Sequence, residues 1–130
     1  PRPVFTPEAT GKAYFMYGMN GRLCVNKGGA TRTVPNTRLA SVLRPSDTIF
    51  IAEVNGNFPT AGRAQSNVTG KYAVGRHQGR GVFAMTDGGA RLIATNEFLR
   101  TTAEANNAAT EWSVERTVYW YPSPTTLNGP

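Results

Sequence analysis

One cysteine, one histidine and eight carboxylates are all that 130 residues contain, and each shortage closes off a class of chemistry. A lone Cys24 cannot form an internal disulfide. Between Leu23 and Val25 it reads as a small buried apolar side chain. One His and one Cys leave too few soft ligands for zinc, and nothing near His77 makes a cysteine–histidine dyad. His77 can be set beside Ser46 or Ser66 only on paper, because no Gly-x-Ser-x-Gly elbow presents a serine. The chain therefore reads as not an enzyme. It also lacks a signal peptide and any apolar run long enough to cross a membrane as a helix. It opens at Pro1 rather than Met, which is the expectation for a processed product or a trimmed piece.

What is present points to turns and strands. Fourteen Gly and nine Pro favour a loop-rich chain over long helices. Two Trp, five Tyr and six Phe, with 39% hydrophobic residues, are enough for a real core and argue against disorder. The net charge of +6 admits acidic partners. However, the basic residues from Arg2 to Arg116 are scattered and form no stripe of the kind that reads nucleic acid. The expected fold is one domain over residues 1–130, mainly β with minor α (α+β), an antiparallel sheet with long loops. Pro-rich arms at 1–12 and 122–130 are expected to be extended, because proline is excluded from central strands.

Along the chain, Ala13 to Met19 reads as a strand turning at Asn20-Gly21, with Arg22 to Val25 returning. Arg38 to Leu43 reads as a short helical turn stopped by Pro45. Thr48 to Val54 is the clearest buried strand, and Asn55 to Gly70 a long polar loop. Arg80 to Thr86 and Ala90 to Thr95 form a hairpin around Asp87-Gly88-Gly89. Asn96 to Ala109 is the helix candidate, capped by Asn96. Trp112 to Tyr121 alternates as a strand, with Trp112, Val114, Val118 and Trp120 on one face. The expected sheet core is Ile49, Ile51, Val82, Ala84, Leu92 and Ile93.

One stretch carries a spacing of its own: Gly75-Arg76-His77, nine residues, then Asp87-Gly88. It resembles the His, nine residues, Asp-Gly signature of pilin-like (pseudopilin-like) proteins of the planctomycete and verrucomicrobial type. Leu43-Arg44-Pro45-Ser46-Asp47-Thr48, running into Ile49-Phe50-Ile51-Ala52-Glu53, is similar to that family's "Pro-Ser-x-Thr, apolar strand, Glu" segment. Tyr17-Gly18-Met19-Asn20 and Tyr119-Trp120-Tyr121-Pro122 are similar to two further elements. The likeness runs from about Tyr17 to Pro122. Full-length members carry an N-terminal apolar helix, and nothing in this sequence matches it.

The resemblance implies a pilin-like globular domain lacking that helix, in a structural subunit of a bacterial surface filament or secretion-type pseudopilus. Its partners would be other pilin-like subunits or further copies of itself, and its location the cell surface, extracellular or periplasmic. The motif residues it marks are Glu53, Arg76, His77, Asp87 and Gly88. Roughly seven strand residues between His77 and Asp87 span about 23 Å, so each is expected to tie its own turn. Asp87 would accept N–H bonds in the glycine turn, and Glu53 would pair with Arg76 or His77. The expectation is that no cofactor is needed. The alternative is calcium on Asp87, Glu53 and Asp47. The alternative function is a surface module binding an acidic polysaccharide or nucleic acid through arginines and exposed aromatics.

Overall fold

The structure, a computed structural model, describes residues 17–23, 37–54 and 67–126. The expectations for the 1–12 arm, Cys24 and the 55–66 loop lie outside the described residues. Five strands form one sheet: β1 (Tyr17–Asn20), β2 (Ile49–Glu53), β3 (Asn67–Val68), β4 (Arg80–Met85) and β5 (Ala90–Ala94), in the order β3-β1-β2-β4-β5. β1, β2, β4 and β5 are antiparallel neighbours, and the short β3 runs parallel to β1. Three short helices follow β5: α1 (Thr95–Phe98), α2 (Thr102–Asn106) and α3 (Ala108–Trp112). The fold is α+β and sheet-dominated.

The sheet buries one face. Ile49, Ala52, Phe83, Met85 and Ile93 point inward to meet Val68, Ala73, Phe98, Val118 and Trp120. Three aromatics form its centre, with the Phe83 and Phe98 rings 4.7 Å apart and Trp120 edge-on to Phe83 at 6.5 Å. The expected core is half corrected. Ile49 and Ile93 are buried, but Val82 is 38% and Leu92 55% exposed, and Ile51 and Ala84 are half-buried. Strand residues alternate faces, so β4 had to choose between Val82 with Ala84 and Phe83 with Met85. The second pair buries more surface. Gly81, on the inner face, makes room for it: a Cβ there would lie 2.6 Å from the Phe83 ring.

β2 does not bury every residue as a central strand would. Ile49 pairs with Met85 and Ile51 with Ala84, so β2 takes two steps where β4 takes one. This bulge leaves Phe50 exposed and lets both Ile49 and Ala52 face the core.

The helical region also differs from a single helix over Asn96 to Ala109. Ala94, not Asn96, holds the first cap position, and Glu97 accepts the Ala94 N–H at 3.1 Å. Thr101 caps α2 and Asn107 caps α3. Residues that compete with the backbone break the helix at each cap.

Trp112 to Tyr121 is not a strand. Trp112 ends α3, Val114 is 56% exposed, and Val118, Tyr119, Trp120 and Tyr121 are all buried in succession. Only Tyr119 bridges the sheet, beside Thr48. Asn20-Gly21 opens a turn over residues 21–23 rather than a two-residue hairpin, and Asn20 itself is buried. Pro122 is buried, and its carbonyl accepts Leu43 N at 3.0 Å.

Candidate functional site

The hairpin of β4 and β5 has one motif residue at each end. At the entry, His77 and Arg80 exchange backbone bonds of 2.9 and 3.1 Å around Gln78 (φ 53°) and Gly79 (φ 78°). Both central residues have positive φ, the two-residue turn that matches strand twist. The turn presents the His77 ring to the end of β2, where Nε2 lies 3.2 Å from Glu53 Oε1. Glu53 Oε2 accepts Val82 N at 3.2 Å. The Glu53 side chain is 3% exposed and that of His77 55%, so the imidazole is the lid of a buried carboxylate. The Arg76 guanidinium donates to the Val54 carbonyl.

At the far end Asp87 Oδ1 accepts Gly89 N at 2.8 Å, and Gly88 turns with φ 91°. This turn docks on the Pro45–Thr48 loop. Asp87 N donates to Pro45 O, Thr86 N to Thr48 O, and Thr86 Oγ1 to Pro45 O at 2.7 Å. Asp47 Oδ1 pairs with Arg91 Nη1 at 3.1 Å.

The structure thus brings Glu53 and His77 together, sets Arg76 beside Val54, and keeps Asp87 at the opposite end of β4. Asp47, Glu53 and Asp87 do not share a site: among the described residues no three His, Cys, Asp or Glu side chains could hold a metal ion together. Ser46 is not bonded to His77 either. Its carbonyl faces Arg91 Nη1 at 3.4 Å.

Two polar knots escaped sequence reading. Asn20 Nδ2 donates to both Ile49 O and Trp120 O at 2.7 Å, while its Oδ1 accepts Arg22 N at 2.9 Å. One buried side chain thereby joins β1, β2 and the 118–121 segment. The second knot is a fully buried ion pair, Arg100 Nε to Glu111 Oε1 at 2.7 Å, with both side chains 0% exposed. Arg100 also donates to Glu97 O, Leu99 O and Val118 O. Glu111 accepts Trp120 N and Tyr121 N. Burial pulls the Arg100 pKa down and the Glu111 charge opposes that; every donor named is satisfied, as buried charge requires. The one signal in the sequence was Arg and Glu eleven residues apart, and no local pattern marks such a pair.

Burial raises the Tyr121 hydroxyl above its ordinary range, and its OH donates to Ala105 O. Trp112 stacks on Tyr119 at 4.0 Å, with the Arg44 guanidinium 5.5 Å from the Tyr119 ring.

No protein family, curated protein or solved structure matches the chain. Among the described residues no helix is long and apolar enough to cross a membrane.

Proposed function

We propose that this chain is the globular part of a pilin-like protein, a non-catalytic structural subunit of a bacterial surface filament or secretion-type pseudopilus. It works at the cell surface or in the periplasm and assembles with other pilin-like subunits. One observation carries the reading. The four stretches behind the resemblance meet, and their polar groups are spent on one another. Asn20 holds Ile49 and Trp120. Glu53 holds His77 and Val82. Asp47 O accepts Tyr119 N at 2.8 Å, and Tyr119 O accepts Ile49 N at 3.0 Å. A catalytic or ligand site leaves converging polar groups open to a cleft. The motif's polar groups bond to the chain itself, with His77 and Asp87 remaining exposed, and this supports a structural role.

Immunogold imaging of the producing cell tests this directly. Labelled filaments or secretion-complex tips, lost when the gene is deleted, are expected. A diffuse extracellular protein, with no labelled assembly and no change on deletion, would overturn the reading.

A second reading draws on the charge distribution. Asp47, Glu53, Asp87, Glu97, Glu104 and Glu111 each accept hydrogen bonds from the chain itself. Among the described residues Arg38, Arg44, Lys71 and Arg80 are exposed, the kind of basic surface that a module for acidic polysaccharide needs. Retention on heparin at two salt concentrations separates the readings. Weak, salt-sensitive retention is expected of a merely basic protein, and retention that survives high salt favours the binding module.

A further inference from the structure

β5 is an edge strand, and among the described residues it pairs with β4 alone. The direction of its hydrogen bonds follows from the two ends of the ladder. Met85 N donates to Gly89 O and Thr95 N to Gly79 O, each at 2.8 Å. Bonded and non-bonded pairs alternate in an antiparallel ladder. Gly81 with Ile93 and Phe83 with Arg91 are therefore the bonded pairs in the register of β4 and β5. Ala90, Leu92 and Ala94 turn their N–H and C=O groups away from the sheet. The Ala94 N–H is taken by Glu97 Oε2. The outward groups of Ala90 and Leu92 have no partner among the described residues, and both residues are exposed.

Natural sheets blunt such edges with proline, an outward lysine, a bulge or a covering segment. Ala90-Arg91-Leu92-Ile93-Ala94 has no proline and keeps an unbroken register with β4. Its one charge, Arg91, lies on the other face, where Nη1 meets Asp47 Oδ1 and the carbonyls of Ser46 and Thr117. On the outer face beside the edge Leu92 stands opposite Val82 and Ala90 opposite Ala84, with the exposed Arg80 opposite Ala94 at the far end.

We propose that a second copy of this chain adds to the β5 edge, antiparallel, about a twofold axis at Arg91, so that Ala90 faces Leu92 of the second copy. A twofold contact needs a surface complementary to itself. An antiparallel strand edge is one, because the donor and acceptor of each residue meet the acceptor and donor of its opposite. Centring at Arg91 uses both open residues and leaves the Ala94–Glu97 bond intact. Centring at Leu92 instead sets the occupied Ala94 N–H against Ala90. The two Arg91 residues face each other across the axis, each already neutralised by Asp47. On the outer face the row Val82–Leu92 continues into the second copy past the small Ala90, so this apolar row is extended rather than ended. This pairing does not depend on the filament reading, since it concerns the globular chain alone.

The test is amide hydrogen exchange of the intact chain at low and high concentration, alongside sedimentation velocity. The amides of Ala90 and Leu92 should exchange fast when dilute and become protected as dimer forms, with Ala94 unchanged. Leu92→Lys should weaken the dimer by about tenfold or more, while Val114→Lys, at an exposed site outside the sheet, should not. Leu92→Pro, which removes an outward N–H at an edge position where proline is tolerated, should also abolish pairing. A chain that stays monomeric at about 1 mM, the weak end of specific association, would overturn the proposal. So would a dimer in which Ala90 and Leu92 remain unprotected, and this reading of the unsubstituted chain decides the matter even where a variant fails to fold.

Discussion

The imidazole of His77 covers the carboxylate of Glu53, with Nε2 3.2 Å from Oε1. The pair is lopsided: the glutamate is sealed and the histidine is wet. It fastens the end of β2 to the turn that opens β4, and through Glu53 Oε2 it reaches the Val82 backbone. Asp87 does a separate job about a strand length away, closing a turn that docks on Pro45 and Thr48. The nine-residue spacing therefore measures one strand with an anchored turn at each end.

The buried pair of Arg100 and Glu111 sets the position of the 118–121 segment. Removing one partner strands a charge among Trp120, Val118 and Phe98, so Glu111→Leu should cost about 3–5 kcal/mol. Arg100→Met with Glu111→Leu should cost less than the sum of the singles, because no lone charge remains. Urea unfolding of the three variants measures this. Additive costs would show that the two residues act independently.

The outward turn of Leu92 and the inward turn of Ile93 predict opposite mutational costs for neighbouring residues. Ile93→Ala should cost about 2–5 kcal/mol and Leu92→Ala under about 1 kcal/mol in the monomer. Ile51→Ala, at a half-buried site on the bulge, should fall between them. Denaturant midpoints in dilute solution give the ranking, and equal costs for Ile93 and Leu92 would contradict the register.

Strand pairing within the β4–β5 hairpin was legible in the sequence because Asp87-Gly88-Gly89 punctuates two apolar runs. The identity of the inward residues was not. Val82-Phe83-Ala84-Met85 is apolar at every position, and only the volumes of Phe98 and Trp120 across the core select Phe83 and Met85. The Trp112–Tyr121 segment misled for a related reason. Its apolar alternation fits a strand, yet Asn107 caps a helix into Trp112 and the Glu111 carboxylate holds Trp120 and Tyr121 by their amides. Asn20 read as a turn residue because Asn-Gly usually is one. Its buried bonds come from residues 29 and 100 positions away, beyond any local rule.

Acid should weaken the helical region through Glu104. Its carboxyl lies below the ordinary 4.5, chiefly because it accepts the Thr101 N–H, and also because of the Thr101 hydroxyl and the nearby Arg116 guanidinium. A folded-state pKa below the unfolded one adds stability that is complete above the unfolded value and is lost as pH falls through the folded one. Glu104→Gln should therefore lower the melting temperature at pH 7 and flatten its fall at more acid pH. A parallel shift of the whole pH profile would contradict this assignment.

A double-mutant cycle on His77 and Glu53 tests most directly the claim that the motif braces the fold. His77→Ala alone should cost about 1 kcal/mol, since the ring is half in water. Glu53→Gln should cost about 1–2 kcal/mol, because the site is buried and loses its charge. In the double variant the sum should fall short by about 0.5–1 kcal/mol, the coupling of two groups in contact. Full additivity, with neither substitution changing the denaturant midpoint, would contradict the account.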